Sequence, residues 1–253
     1  LPMLVRAVGV TTIIKHDRKK VQPVLKVLSG QVKKCPHHGS HASYGFYDSP
    51  FATAIVLSYD GGGGDGAFNL YLAHRHNHSL RVLSKEKLCI ACSIFSLSLA
   101  VPNFSAPVNC RLWERVSDPH CSITAVARTM ALAALGRVQG EGSKCRGAAT
   151  RMVEKATWQN YHRLSPQGLT DAQDKCDLAA TFYDVLAERV AQSIQVHEHH
   201  LRSIEGLVIT GGVALNIMAN TVIRRRLNIT THVGLAPHDG GLPLGCCMRL
   251  NPP

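Results

Sequence analysis

Residues 36–66 read PHHGSHASYGFYDSPFATAIVLSYDGGGGDG, and three kinds of local order follow one another within that stretch. Pro36 stands where a helix tolerates proline, in the first turn, because its missing N–H would have no intrahelical partner there. A short helix is therefore predicted over residues 37–47, closed by Pro50. The run 52–59 is rich in Ala, Thr, Ile, Val and Leu, which suits a buried strand. It stops at Asp60 and a glycine cluster, and β character resumes over 68–73, so the pair reads as a hairpin with a glycine-rich tip.

Working outward, residues 125–135 are rich in Ala, Met and Leu and read as helix, and 136–147 as a loop. Ser165-Pro166-Gln167-Gly168 is a turn. Thr170 or Asp171 can cap a long helix running to about His200, with Leu178, Phe182, Val185, Leu186 and Val190 as its buried stripe. Residues 207–210 form a short strand leading into Gly211-Gly212-Val213-Ala214-Leu215-Asn216, where a helix begins. Residues 232–235 form another, ending at Pro237 and the Asp239 turn. Upstream, 8–14 suits a strand and 21–32 a short helix. Residues 74–125 carry no decisive pattern, although 88–101 is apolar enough for a core element. Helices alternating with apolar strands give an α/β class.

A chain of 253 residues suits one large domain or two intimate halves. No apolar run reaches the roughly 18 residues of a membrane span. The first residues lack the apolar core of a secretory signal, so a cytoplasmic location is expected, with organelle import left open. The nine cysteines show no secretory framework, and reduced, mostly buried thiols are expected. Cys89-Ile90-Ala91-Cys92 leaves a redox or zinc role open, but a second such pair is needed to complete four zinc ligands. The net charge of +11 can attract phosphorylated substrates. Its clusters, Arg18-Lys19-Lys20, Lys33-Lys34 and Arg224-Arg225-Arg226, are not interleaved with aromatic residues, which argues against a nucleic-acid stacking surface.

Imidazoles at i and i+4 of a helix share a face, so His37 and His41 can hold one metal ion together, although the same spacing also fits an exposed polar face. Asp60 adds a carboxylate at the end of a buried strand. The glycines after it, Gly61, Gly62 and Gly63, can bring backbone N–H groups to a phosphate or simply form a hairpin tip. Gly211 and Gly212 lie between a strand and a helix start, where amides and the positive helix end favour an anion. This second turn is neither a Walker A loop nor a G-x-G-x-x-G turn. Asp239 offers a second carboxylate, and the mixed His/carboxylate set suits Fe(II) or Mn(II) better than structural zinc. His38 and His238 read as supporting or solvent groups, with His38 also a candidate general base. His197, His199 and His200 read as the exposed end of the long helix.

Taken together, these pieces resemble the O-carbamoyltransferases of the nodulation and antibiotic-tailoring type. That resemblance rests on His37-His38-Gly39-Ser40-His41-Ala42, Ser49-Pro50-Phe51, Asp60-Gly61-Gly62-Gly63, Gly211 to Asn216 with Asn220, and Pro237-His238-Asp239-Gly240-Gly241 with Gly245. It covers residues 36–247 and implies an actin/hexokinase-like (ASKHA) ATPase fold in a domain over 35–253, behind a divergent segment 1–34 that lacks the family's early phosphate loop. It implies an enzyme that moves a carbamoyl group from carbamoyl-adenylate, made from carbamoyl phosphate and ATP, to a hydroxyl-bearing small molecule. By the same resemblance His37, His41, Asp60 and Asp239 would hold a divalent metal, usually iron, and Gly211, Gly212 and Asn216 the nucleotide. A partner domain would supply the adenylate. A relative of the tRNA threonylcarbamoyl transferases and a non-catalytic nucleotide-binding remnant are the alternatives.

Overall fold

The structure, a computed structural model, describes residues 35–101, 119–166 and 171–253. The strand and helix predicted over 8–14 and 21–32 lie outside the described residues. In chain order the helices are α1 His37–Asp48, α2 Ile90–Ala100, α3 Pro119–Leu135, α4 Lys144–Lys155, α5 Ala172–Gln195, α6 Glu198–Leu201, α7 Ile217–Leu227 and α8 Leu242–Leu250. The strands are β1 Thr53–Gly63, β2 Gly66–His74, β3 Ser79–Glu86, β4 Gly206–Thr210 and β5 Thr231–Val233. Two compact units divide them. One holds the described residues up to Lys87, His197–Leu215 and Ile229–Pro253; the other holds Leu88–Val196 and Asn216–Asn228.

The first unit is built on one five-stranded sheet in the order β3-β2-β1-β4-β5. β1 pairs antiparallel with β2 and parallel with β4, so the predicted hairpin sits inside a mixed sheet. β1 is fully buried from Ala54 to Tyr59, as its continuous apolar run requires. Its ladder with β2 is regular to Tyr59↔Phe68 and resumes at Gly63↔Gly66. Asp60, Gly61 and Gly62 thus face a single residue of β2, Ala67, and form a bulge that re-aims the end of the strand.

Helix α1 packs on this sheet through Ala42 and Phe46, which join Phe51, Ala54, Val56, Tyr71, Ala73 and Val208 in one apolar cluster. Its small residues set the spacing. A Cβ on Gly45 would lie 2.9 Å from Val208 Cγ1, and one on Gly245 of α8 would overlap the Ser40 carbonyl oxygen. The free amides at the start of α1 are satisfied from a distance: Asp65, at the hairpin tip, accepts from His38 N at 3.1 Å and from Gly39 N at 3.2 Å. A carboxylate there also meets the positive end of the helix.

The second unit is helical among its described residues. Asp171 caps α5 by accepting from Gln173 N, and the predicted stripe of Leu178, Phe182, Val185, Leu186 and Val190 is buried. Arg146 of α4 bonds Asp184 and Glu188 of α5, and Arg226 of α7 bonds Asp184, which ties three helices through one charge network. Among the described residues no helix is long and apolar enough to cross a membrane.

Three expectations change. The long helix ends at Gln195, and His197 starts a separate turn, α6, against β3 through Ser84. Strand β3 and helices α4 and α8 appear where no element was predicted, α4 beginning inside the expected loop 136–147. Four of the nine cysteines are not free thiols: Cys35 pairs with Cys246 and Cys89 with Cys92, with Cα separations of 5.8 and 5.2 Å. The close approach that Gly245 allows brings α8, and with it Cys246, within bridging range of the residue preceding Pro36.

Gly245→Ala is expected to lower the unfolding free energy by about 1–3 kcal/mol, because backbone oxygen cannot yield to the new methyl. Asp65→Ala is expected to lose about 1–2 kcal/mol through uncapping of α1, and Asp65→Asn, which keeps one acceptor, less. Urea unfolding of the three variants measures both effects.

Candidate metal centre

One turn of α1 aims His37 and His41 toward the end of β1, where the bulge delivers Asp60. The turn after β5 delivers Asp239 at the start of a 3-10 segment, Asp239–Gly241. His37 Nε2 lies 2.7 Å from Asp60 Oδ2 and 3.7 Å from Asp239 Oδ1. His41 Nε2 lies 3.3 Å from each of the same two oxygens. The four donor atoms all fall within 4.8 Å of one another, and among the described residues this is the only such group of His, Cys, Asp and Glu. The sequence-predicted quartet therefore converges.

The group fits a metal ion on geometric and chemical grounds. Donors about 2.1 Å from a shared cation lie about 3 Å apart when adjacent, close to the spacings here. Two imidazole nitrogens with two carboxylate oxygens are a donor set for a divalent first-row metal. The His41 side chain is fully buried, Asp60 is 15% exposed and Asp239 is 61% exposed, so the group has a closed floor and one open side.

Electrostatics couple the four groups. Burial opposes the ionised form of Asp60, but hydrogen bonds from His37 and His41 outweigh it and hold the carboxyl far below the usual range. Burial likewise opposes a charged His41, yet the carboxylates of Asp239 and Asp60 outweigh it and raise the imidazole above its ordinary value.

Asp60 has a second task. Its Oδ1 accepts from Gly212 N at 3.1 Å, while Oδ2 faces the imidazoles. Gly211 adopts φ +94°, and a Cβ there would overlap the Tyr59 carbonyl oxygen. Its N–H donates to Pro237 O at 2.8 Å, and the Thr210 hydroxyl lies 3.3 Å from the carbonyl oxygens of both His41 and Pro237. The end of β4 thus fastens α1, the β1 bulge and the turn carrying Asp239 to each other.

The other residues singled out in the sequence have partners within the protein. His38 is fully buried, with Nε2 2.9 Å from Gly66 O and Nδ1 2.8 Å from Ser58 Oγ. A carbonyl only accepts, so Nε2 carries the proton and Nδ1 accepts from the serine. Burial keeps this ring neutral by lowering its pKa. With both nitrogens engaged, His38 joins α1 to the hairpin. The amides of Gly211 and Gly212 are likewise committed to protein acceptors. Gly63 is small because a Cβ would lie 2.6 Å from His37 Cβ, and Gly61 and Gly62 occupy the bulge, Gly62 at φ +129°. Asn216 belongs to the helical unit, where its Oδ1 caps α7 by accepting from Ala219 N at 3.0 Å. His238 caps its own turn through Gly240 N. Sequence reading missed Asp65, Ser58 and Thr210. Only Asp65, lodged between glycines, carried a local signal.

The Carbamoyltransferase N-terminus family model matches residues 8–247. A solved full-length HypF, in a phosphate- and nucleotide-bound form, is 16% identical with a TM-score of 0.50, covering 93% of this chain and 45% of that one. The HypF of T. kodakarensis is 13% identical with a TM-score of 0.50, covering 90% of this chain and 38% of that one. This chain therefore spans less than half the length of these HypF chains. No curated protein matches it. At such identities the likeness shows a shared fold, the α/β, actin/hexokinase-like one. With nearly the whole sequence inside that one model, the chain belongs to the carbamoyltransferase N-terminal family.

Proposed function

We propose that this domain transfers a carbamoyl group from carbamoyl-adenylate to a hydroxyl of a small acceptor, with a divalent metal, iron or manganese, held by His37, His41, Asp60 and Asp239. The observation that carries this reading is the convergence of those four side chains in a member of the carbamoyltransferase family. The nucleotide-bound state of the HypF neighbour supports ATP and carbamoyl phosphate as the source of the adenylate. That neighbour is more than twice as long as this chain, which supports a partner domain as the place where the adenylate forms.

When bound, the metal would act as a Lewis acid that offsets charge on the adenylate phosphate. The protein's part is placement. Asp60 is pinned by the Gly212 amide, so its free oxygen keeps a fixed position. His41 is immobilised by burial, and Asp239, on the open side, is the ligand a substrate meets first. A phosphate and an acceptor hydroxyl held on that side gain rate chiefly from orientation. The glycines at 61 and 62, on the bulge beside Asp60, add no side chains of their own there.

Metal analysis of chain reconstituted with Fe(II) under anaerobic conditions, followed by titration with AMP, tests the assignment. Wild type is expected to hold about one metal ion per chain, with His41→Ala and Asp60→Asn losing about 10–100-fold in metal affinity. Folded variants that retain full metal content, or a metal-loaded wild type that binds no nucleotide, would refute it.

The two titrating groups give the pH dependence a sign. His41 is raised in the folded state, so its contribution is complete below about pH 6.5 and is lost as pH rises through the folded value. Asp60 is lowered, so its contribution is present above about pH 4 and is lost as pH falls toward the folded value. Metal-free protein is accordingly expected to draw most from this cluster between about pH 4 and 6.5. Metal binding must displace the His41 proton, so the thermal stabilisation by Mn(II) is expected to grow from about pH 6 to 8. Differential scanning fluorimetry with and without the ion measures the trend.

A further inference from the structure

Cys89-Ile90-Ala91-Cys92 plays no part in carbamoyl transfer as read above. The two cysteines form a disulfide at the start of α2, with Cys89 at the N-cap and Cys92 at the third helical position. Their environments differ. Cys92 is fully buried, and Cys89 is partly exposed. The Cys89 side chain makes no capping hydrogen bond, and no acidic residue occupies the first turn. The amides of that turn have no intrahelical acceptor, and α2 is eleven residues long, enough for a developed positive end. A sulfur released at the N-cap therefore meets free N–H donors and no carboxylate from the first turn of its helix, a setting that stabilises a thiolate. Cys145 and Cys176 lack it. Cys176 is buried, burial and the nearby Asp174 and Asp177 push the Cys145 thiol up, and Cys35–Cys246 joins segments 211 residues apart.

We propose that Cys89–Cys92 is a thiol–disulfide exchange site that trades two electrons with a small dithiol, Cys89 being the sulfur that is attacked and attacks, and Cys92 the resolving one. In the reducing direction a thiolate of the dithiol attacks the exposed Cys89 sulfur. The Cys89–Cys92 bond breaks, and Cys92 leaves as thiolate and takes up a proton. The dithiol's second thiolate then displaces Cys89 from the mixed disulfide. The products are a cyclic disulfide of the reductant and two protein thiols, so one disulfide is lost as one forms. A disulfide-bearing oxidant runs the same steps backward.

The full chain is incubated with dithiothreitol under folding conditions, quenched at intervals with iodoacetamide and mapped by peptide mass spectrometry, with circular dichroism recording the fold. The Cys89–Cys92 pair is expected to open in the folded protein at least about tenfold faster than Cys35–Cys246, since the free amides at the start of α2 attract an attacking thiolate, whereas Asp65 already holds those of α1 beside Cys35. Once reduced, Cys89 is expected to alkylate at pH 7 roughly threefold faster than free cysteine, the net of more thiolate and a weaker nucleophile. In Cys92→Ser, glutathione disulfide is expected to leave a stable adduct on Cys89. A pair that opens only when the chain unfolds, Cys92 labelling before Cys89, or a folded Cys92→Ser without the adduct would each overturn the proposal. If that variant does not fold, the order of labelling in wild type decides.

Discussion

The site depends on one carboxylate held at both oxygens. Asp60 gives Oδ1 to the Gly212 amide and Oδ2 to the imidazoles of His37 and His41. No single element can supply those partners; they come from α1 and from the turn that follows β4. The carboxylate fits only if the ends of β1, β4 and α1 meet within hydrogen-bond range. Glycine makes the meeting possible. At 63 it clears His37, at 211 it takes a positive φ against Tyr59, and at 212 a Cβ would lie 2.7 Å from Asp60 Oδ1. A mostly buried carboxylate without such partners would cost several kcal/mol, so the packing of three elements and the charge of one side chain are a single constraint.

Helix α1 divides its histidines by angle. His37 and His41 are one turn apart and face the cluster, while His38 is rotated by about 100° and faces the hairpin. There it bonds Ser58 and Gly66 from within the core. The hairpin answers through Asp65, which holds the first amides of the same helix. Helix and hairpin are thus latched twice, once by an imidazole and once by a carboxylate. The latch fixes the rotation of α1, and with it the direction of both candidate ligands.

Legibility in the sequence followed from how local each signal was. The proline before α1, the unbroken apolar run of β1 and the stripe of α5 are local, and they read correctly. The four converging residues were readable through i,i+4 spacing and strand-end carboxylates, although their meeting is a tertiary fact. β3 was not readable, because Ser79–Glu86 is an edge strand with mixed exposure and no clean alternation. α8 was hidden by its length of nine residues and by Pro243 and Gly245, which read as turn signals. For the glycines after Asp60 a phosphate cradle and a hairpin tip stayed open, because sequence shows where a Cβ is missing but not what fills the space. At 63, 211 and 245 the space is filled by protein. The pairing of Cys246 with Cys35 was invisible for the same reason, since it depends on how closely α8 approaches α1.

Charge counting then narrows what the cluster can hold. Two carboxylates face two imidazoles, one of them fully buried, so a stable arrangement must be near neutral. Protonating both imidazoles achieves this, and so does one divalent cation with both imidazoles neutral. A monovalent ion leaves the site negative, and a trivalent one leaves it positive in a largely desolvated pocket. The two neutral solutions differ in what they offer to a substrate. In the protonated form the Nε2 hydrogens of both imidazoles already point at Asp60 and Asp239, so an incoming phosphate finds only carboxylate oxygens. In the cation form the same side chains turn their lone pairs inward, and the unsatisfied coordination lies on the exposed Asp239 side. An anionic phosphate is therefore attracted only when a cation has replaced the two protons, which makes the protonation of His41 and the recognition of phosphate opposing outcomes at one nitrogen.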